Sequence, residues 1–237
     1  MSIADNIAAI RERIARAAER AGRGADAITL MAVSKTFPPE AIREAYQAGA
    51  RVFGENRVQE FAEKVAGLSN LATQQAPRFH LIGHLQSNKA AKAAEIFHAI
   101  DSLDSLRLAE KLNAAARQLG RTLDALIEIN IGGEAQKSGL APDSAELDEL
   151  LAAAPQLGNL RIRGLMAVPP WSDEAEPSRP YFRALRELRD RIAQRRLPAV
   201  EMDVLSMGMS HDFEVAIEEG ATCVRVRTAI FGKRTKV

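Results

Sequence analysis

A lysine stands where a run of apolar residues stops, in Met31-Ala32-Val33-Ser34-Lys35-Thr36-Phe37-Pro38-Pro39. An amine at such a point is either a solvated cap on a strand or a nucleophile kept in a pocket. Residues at comparable places bear on the choice. Asn56 follows Phe53-Gly54-Glu55, and His84 follows Phe79-His80-Leu81-Ile82-Gly83. Met166 lies in the apolar run that opens at Leu160, and Ser206-Met207-Gly208-Met209-Ser210 follows another. Arg225, Arg227 and Thr228 close a further one. One amine, two arginines, several hydroxyls and glycine-bearing backbone make an anion-binding set with a nucleophile in it. The chemistry that suits such a set is capture of an aldehyde that carries a phosphate. A lysine condenses with a carbonyl only as the free amine, so burial beside Val33 and Met166, or a nearby Arg225, helps by lowering its pKa. Gly208 lets the backbone approach closely, and a helix opening at Ser210 would turn N–H groups toward an anion. Taken singly, Lys35 reads first as a solvated strand cap and Ser210 as an ordinary N-cap.

Other chemistries find less support. His80, His84, His98 and His211 show no metal-ligand spacing, and the single cysteine, Cys223, sits in an apolar run. No Gly-x-Ser-x-Gly elbow is present. Arg183, Arg186, Arg189, Arg191, Arg195 and Arg196 make a basic helix, but Glu187 and Asp190 interrupt it and the net charge is only +1, which favours a solvated face over nucleic-acid binding. No segment approaches the ~20 apolar residues of a membrane span. The low cysteine content suits a reducing cytosol, and Asp5 and Glu12 argue against a leader peptide, so a cytoplasmic protein is expected.

The elements that must position these residues are legible from periodicity. Ile3, Ile7, Ile10, Ile14 and Ala17 define an amphipathic helix that ends near Gly22-Arg23-Gly24. Strands are expected at Ile28–Val33, Arg51–Glu55, Phe79–Gly83, Phe97–Ile100, Leu123–Ile131, Leu160–Val168, Met202–Ser206 and Thr222–Arg227. Helices are expected between them: from Pro39 to Gln47, then Arg57–Ala66, Asn88–Ile96, Ser105–Leu119, Ala141–Ala153, Tyr181–Arg196 and His211–Glu219. Leu68–Arg78 and Trp171–Pro180 read as loops. Unbroken strand–helix alternation implies a parallel sheet, and eight such units nearly fill the about 250 residues of a closed barrel. The fold expected is α/β, a single (β/α)8 TIM barrel over residues 1–237, with residues 1–24 as an extra N-terminal helix packed on it.

Several segments together resemble the YggS/PROSC family of pyridoxal-phosphate homeostasis proteins. They are Ala32-Val33-Ser34-Lys35-Thr36, Phe53-Gly54-Glu55-Asn56 with Val58-Gln59-Glu60, and the stretch from His80 to Lys89. Further on come Lys137-Ser138-Gly139, Arg163-Gly164-Leu165-Met166, Leu205–Ser210 and Thr228-Ala229-Ile230-Phe231-Gly232. The resemblance implies that Lys35 holds pyridoxal 5′-phosphate (PLP) as a Schiff base and that Arg225 faces the pyridine nitrogen. Ser210 and the backbone at Arg227 and Thr228 would cradle the phosphate; Ser206, Asn56 and Met166 would line the ring, with His84 counted among the cofactor-binding residues. Two positions depart from the family pattern. Arg227 stands where glycine is usual, which either strains the backbone or adds a phosphate contact, and Phe37 stands where a second lysine is common.

Such a protein would be a monomer that holds PLP and takes part in vitamin B6 homeostasis, with apo PLP-dependent enzymes as possible acceptors. The alternative is an amino-acid racemase or related enzyme. Alanine racemase takes its second catalytic base, a tyrosine, from another domain, and Tyr46 and Tyr181 here fall on expected helices. A non-enzymatic role is the expectation. A barrel acting on a sugar phosphate keeps Lys35 but leaves the Ser206–Ser210 and Arg225 matches unexplained.

Overall fold

The computed structural model describes residues 2–71 and 76–232. After an N-terminal helix, α1 (Ile3–Arg20), the chain alternates strand and helix. β1 (Thr29–Val33), α2 (Pro39–Gln47), β2 (Val52–Glu55), α3 (Val58–Val65) and β3 (Arg78–Leu81) come first. Then come α4 (Ala90–Ile96), β4 (Ala99–Leu103), α5 (Leu106–Gln118), β5 (Leu123–Glu128) and α6 (Ala145–Ala153). β6 (Leu160–Met166), α7 (Arg179–Gln194), β7 (Val200–Ser206), α8 (Phe213–Glu218), β8 (Cys223–Val226) and the short α9 (Thr228–Phe231) complete it. The eight strands pair in sequence order, all parallel, and β8 pairs back onto β1 to close a barrel.

Local chemistry explains the elements. Ser2 and Asp5 form a capping box at the start of α1, and the expected apolar stripe, Ile7, Ile10, Ile14 and Ala17, is buried. That face packs on α8, α9 and α2, and Arg13 grips Glu214 of α8 through Nε (3.2 Å) and Nη2 (3.1 Å). Ser105 and Ser144 cap α5 and α6 by accepting the N–H of Leu108 and Leu147. Under α3, Phe61 contacts the rings of Phe79 and Phe97 with centroids 4.6 and 4.8 Å apart, so Phe61→Ala would cost about 3–5 kcal/mol. Gly164 has φ +155° where β6 shifts register against β7, and a Cβ there would lie 1.8 Å from the carbonyl oxygen of Val204. Only glycine fits.

Some expected boundaries move. β5 ends at Glu128 rather than Ile131; Ile129 makes an isolated parallel bridge to Leu140, so the loop after β5 folds back on the strand end. β6 stops at Met166 and β3 at Leu81, each two residues early. Ala66–Leu71, expected partly as loop, is a 3-10 helix, and residues 72–75 of that loop lie outside the described residues. The basic helix is not merely solvated. Arg179, Arg183 and Arg186 all reach the buried Glu219 after α8, docking α7 onto α8. Among the described residues no helix is long and apolar enough to cross a membrane.

Candidate functional site

Lys35 sits in a tight turn just past β1, and the turn is pinned on both sides of it. Before it, the Ser34 N–H donates to the Gly54 carbonyl (3.0 Å) and the Ser34 hydroxyl to Glu55 Oε1 (2.8 Å). After it, the Thr36 N–H donates to Glu60 Oε1 at 2.5 Å. Thr36 has φ +69°, a left-handed conformation costly for a β-branched residue, which these bonds hold in place. Beneath the turn lies a second amine, Lys64 of α3, nine-tenths buried. It donates to Glu60 Oε1 (2.6 Å), Glu55 Oε1 (3.2 Å) and the Ser34 carbonyl (3.3 Å). Burial raises the Glu55 carboxyl above its ordinary value against the pull of Lys64 and Ser34. Burial pushes Glu60 the same way, but the bonds from Lys64 and the Thr36 N–H outweigh it and hold that carboxyl low.

Lys35 itself, half-buried, has no hydrogen bond or ion pair among the described residues. Burial lowers its pKa, the Arg227 cation adds to the effect, Glu60 and Glu55 oppose it, and Arg225 lowers it further. More of this amine is therefore unprotonated than of a free lysine at the same pH.

Facing it are the ends of β7 and β8. Arg225 is only 4% exposed; its Nη1 donates to Ser206 Oγ (2.7 Å) and its Nη2 to the Ala167 carbonyl (2.8 Å). Met166, in register with Ser206, is buried beside them. Among the described residues no carboxylate hydrogen-bonds Arg225; Asp101, Asp212 and Glu128 act on its charge at longer range. Gly208 (φ +89°) turns the chain tightly, since a Cβ there would lie 2.5 Å from Ala216 Cβ, and Asp212 Oδ1 fixes the turn by accepting the Met209 N–H (2.6 Å). Ser210 Oγ accepts the Arg227 N–H (3.1 Å) and lies 3.5 Å from Thr228 Oγ1. Hydroxyls and N–H groups thus converge at the start of α9.

The two departures from the family pattern touch each other. Arg227 has φ −115°, so no left-handed conformation demands glycine there. Its Nη2 donates to Thr36 Oγ1 (2.9 Å) and its guanidinium lies 5.2 Å from the Phe37 ring centroid, while Phe37 stacks on Phe231 at 4.9 Å.

Of the residues singled out in the sequence, hydrogen bonds and strand register group Met166, Ser206 and Arg225 in one set and Ser210, Arg227 and Thr228 in another. Both face Lys35. Asn56 and His84 also line a neighbouring cleft; His84, its side chain 56% exposed, bonds Asp104 Oδ2 through Nδ1 at 2.9 Å. Glu60, Lys64 and Asp212 were not singled out. The i,i+4 pair Glu60–Lys64 looks in sequence like any solvent-facing helix pair, and only its long-range contacts with Ser34, Thr36 and Glu55 reveal its use. Burial pushes the Cys223 thiol up to about 12, which makes it inert, and among the described residues no group of three His, Cys, Asp or Glu could hold a metal.

The family model "Alanine racemase, N-terminal domain" matches residues 6–235. The fold is also that of alanine racemase from Clostridium difficile (TM-score 0.69, 15% identity), where 98% of this chain covers 58% of the racemase. The barrel is thus of the alanine racemase type. Closer in sequence are the pyridoxal phosphate homeostasis proteins of Aquifex aeolicus (46% identical over 234 residues, 99% of each chain) and Escherichia coli (46% over 232 residues, 98% of this chain and 97% of the relative). PipY of Synechococcus elongatus, solved with PLP bound, is 39% identical with a TM-score of 0.83 over 98% of this chain and all of its own. The chain belongs to the family of pyridoxal phosphate homeostasis proteins.

Proposed function

We propose that this chain binds pyridoxal 5′-phosphate through Lys35, holds it without turning over a substrate, and releases it to apo-enzymes in intracellular vitamin B6 homeostasis. The observation that carries the reading is the half-buried Lys35 amine on a pinned turn, without a partner among the described residues and near a buried arginine. The cofactor supplies an aldehyde for that amine and a phosphate for the cradle. Ser210 Oγ, Thr228 Oγ1 and the N–H groups opening α9 suit the phosphate, with the Arg227 cation within reach; Met166 and Ser206 suit the ring. Asn56 would complete the lining. Arg225 is a donor with no proton-accepting capacity, so a pyridine nitrogen facing it stays unprotonated and the ring is a poor electron sink. That favours retention over catalysis. Tyr46 lies in α2 and Tyr181 in α7, neither at a strand end. The buried, unpaired Cys223 suits a cytoplasmic protein, and we take the chain to act as a monomer.

Purified protein incubated with PLP should show the long-wavelength absorbance of a lysine-linked cofactor, and borohydride should fix it to Lys35. Survival of that band unchanged in Lys35→Ala would sink the assignment. Amino acids incubated with the loaded protein should keep their optical purity; rapid racemisation would favour the enzyme reading.

A further inference from the structure

The stretch from His80 to Lys89 is only partly absorbed by the site above. Its later residues, with those that follow β2, line a cleft of about 220 Å³ between the loops after β2 and β3. We infer that this cleft binds a small organic anion, a carboxylate or phosphate on a compact polar body, beside the Lys35 site. The inference does not depend on what Lys35 carries.

Three observations support it. The first is composition: Arg57, Lys89, His84 and the amides of Asn56, Gln59 and Gln86 line the cleft, and no carboxylate does. The second is pairing. Among the described residues nearly every arginine has a hydrogen bond or ion pair; Arg57 shares its lack of one only with Arg107 and Arg117 on α5 and Arg196 after α7. Glu60 feels the Arg57 charge, but it is already engaged by Lys64 and the Thr36 N–H. Lys89 is tied only to a neutral acceptor, Gln59 Oε1 at 2.9 Å, whereas Lys64, Lys92 and Lys137 each meet a carboxylate. Two cations with no hydrogen bond or ion pair to a carboxylate among the described residues line one space on a chain of net charge only +1. The third is orientation. Asp104 holds His84 by Nδ1 at 2.9 Å, so Nε2 is left for an occupant and can donate when protonated.

A space of about 220 Å³ suits a small acid or phosphate ester. A guanidinium can take a carboxylate or phosphate through two parallel bonds, with Lys89 engaging a further oxygen.

The test uses the full chain loaded with PLP and three probes that lack an amine and so cannot link to the cofactor: phenyl phosphate, benzoate and neutral benzyl alcohol. Binding is followed by calorimetry and by NMR of backbone and arginine N–H groups. At least one anion should bind saturably with shifts at Arg57 and Gln86, and benzyl alcohol should not; the two anion arms tell phosphate from carboxylate. Arg57→Gln and Lys89→Met should each weaken binding by about tenfold or more, the effect of losing one charged hydrogen bond. Both side chains stand at the surface, and both variants should keep the cofactor's absorbance, which separates failure here from failure of the Lys35 assignment. Four results would overturn the inference: no saturable binding of either anion, equal binding of benzyl alcohol, affinity unchanged in both variants, or binding that appears only after PLP is removed. The last would place the anion in the phosphate cradle.

Discussion

Lys35 and Lys64 both lie against the same turn, and their surroundings give them opposite fates. Lys64 meets two carboxylates and a carbonyl; among the described residues Lys35 meets no acceptor, and it feels two guanidiniums. The difference is what would keep the Lys35 amine available for the attachment proposed above. Glu55 and Glu60 are close enough to raise the pKa of Lys35, and Lys64 occupies both of them. The buried lysine also anchors the turn from which the other projects. One amine is withheld from partners because another takes them.

The contrast can be tested by substitution. Lys35→Ala should abolish borohydride trapping of PLP, whereas folded Lys64→Ala should still trap it; loss in both would erase the distinction. Stability should respond in the opposite sense. Lys64→Met leaves Glu55 buried without its cation and should cost about 3–5 kcal/mol in urea unfolding, with much of the loss recovered in the double variant with Glu55→Gln. Lys35→Met, on a half-buried and unpaired side chain, should change stability by no more than about 0.5 kcal/mol. An equal cost at both positions would show that the network does not set Lys64 apart.

Arg227→Gln removes a cation that depresses the Lys35 pKa. Its pKa should rise, and the pH midpoint for PLP attachment should move upward with it; a downward move would contradict the placement of Arg227. The smallest effect expected is on apo-protein stability. The folded pKa of Lys35 lies below its ordinary 10.5, so between the two values the unfolded chain binds more protons. The contribution of Lys35 should therefore become more favourable as pH rises through its folded pKa toward 10.5. Melting of apo wild type against Lys35→Met over that range should show the difference shifting toward wild type.

Much of the scaffold could be read from periodicity, because burial imposes it locally. The Ile7–Ile10–Ile14 stripe and the apolar runs around Ala32, Ile127 and Leu205 face the core as spacing alone suggests. Lys35, Arg225 and Ser206 were legible because each lies at or next to the end of such a run. The Glu55–Glu60–Lys64 support was not, since a buried ion network has no period and its members carry the signature of surface residues. The conformation at Arg227 was equally hidden: side-chain type suggests strain, and only the backbone angle dismisses it. His84 shows another limit: its place after a strand did not reveal that its side chain would be 56% exposed and line a cleft with Arg57 and Lys89.

β1 and β8 meet where the ring of strands closes, and the site straddles that joint. Lys35 leaves the ribosome early; Ser206, Ser210, Arg225 and Thr228 come almost last. If Lys35 holds the cofactor as proposed, a half-made chain has that amine but not the residues proposed to face it, and loading would wait for the finished ring. The bond from Arg227 to Thr36 already clips the joint, and a cofactor gripped from both sides would be a second clip across it. Prying the first strand from the last would then first require letting the cofactor go.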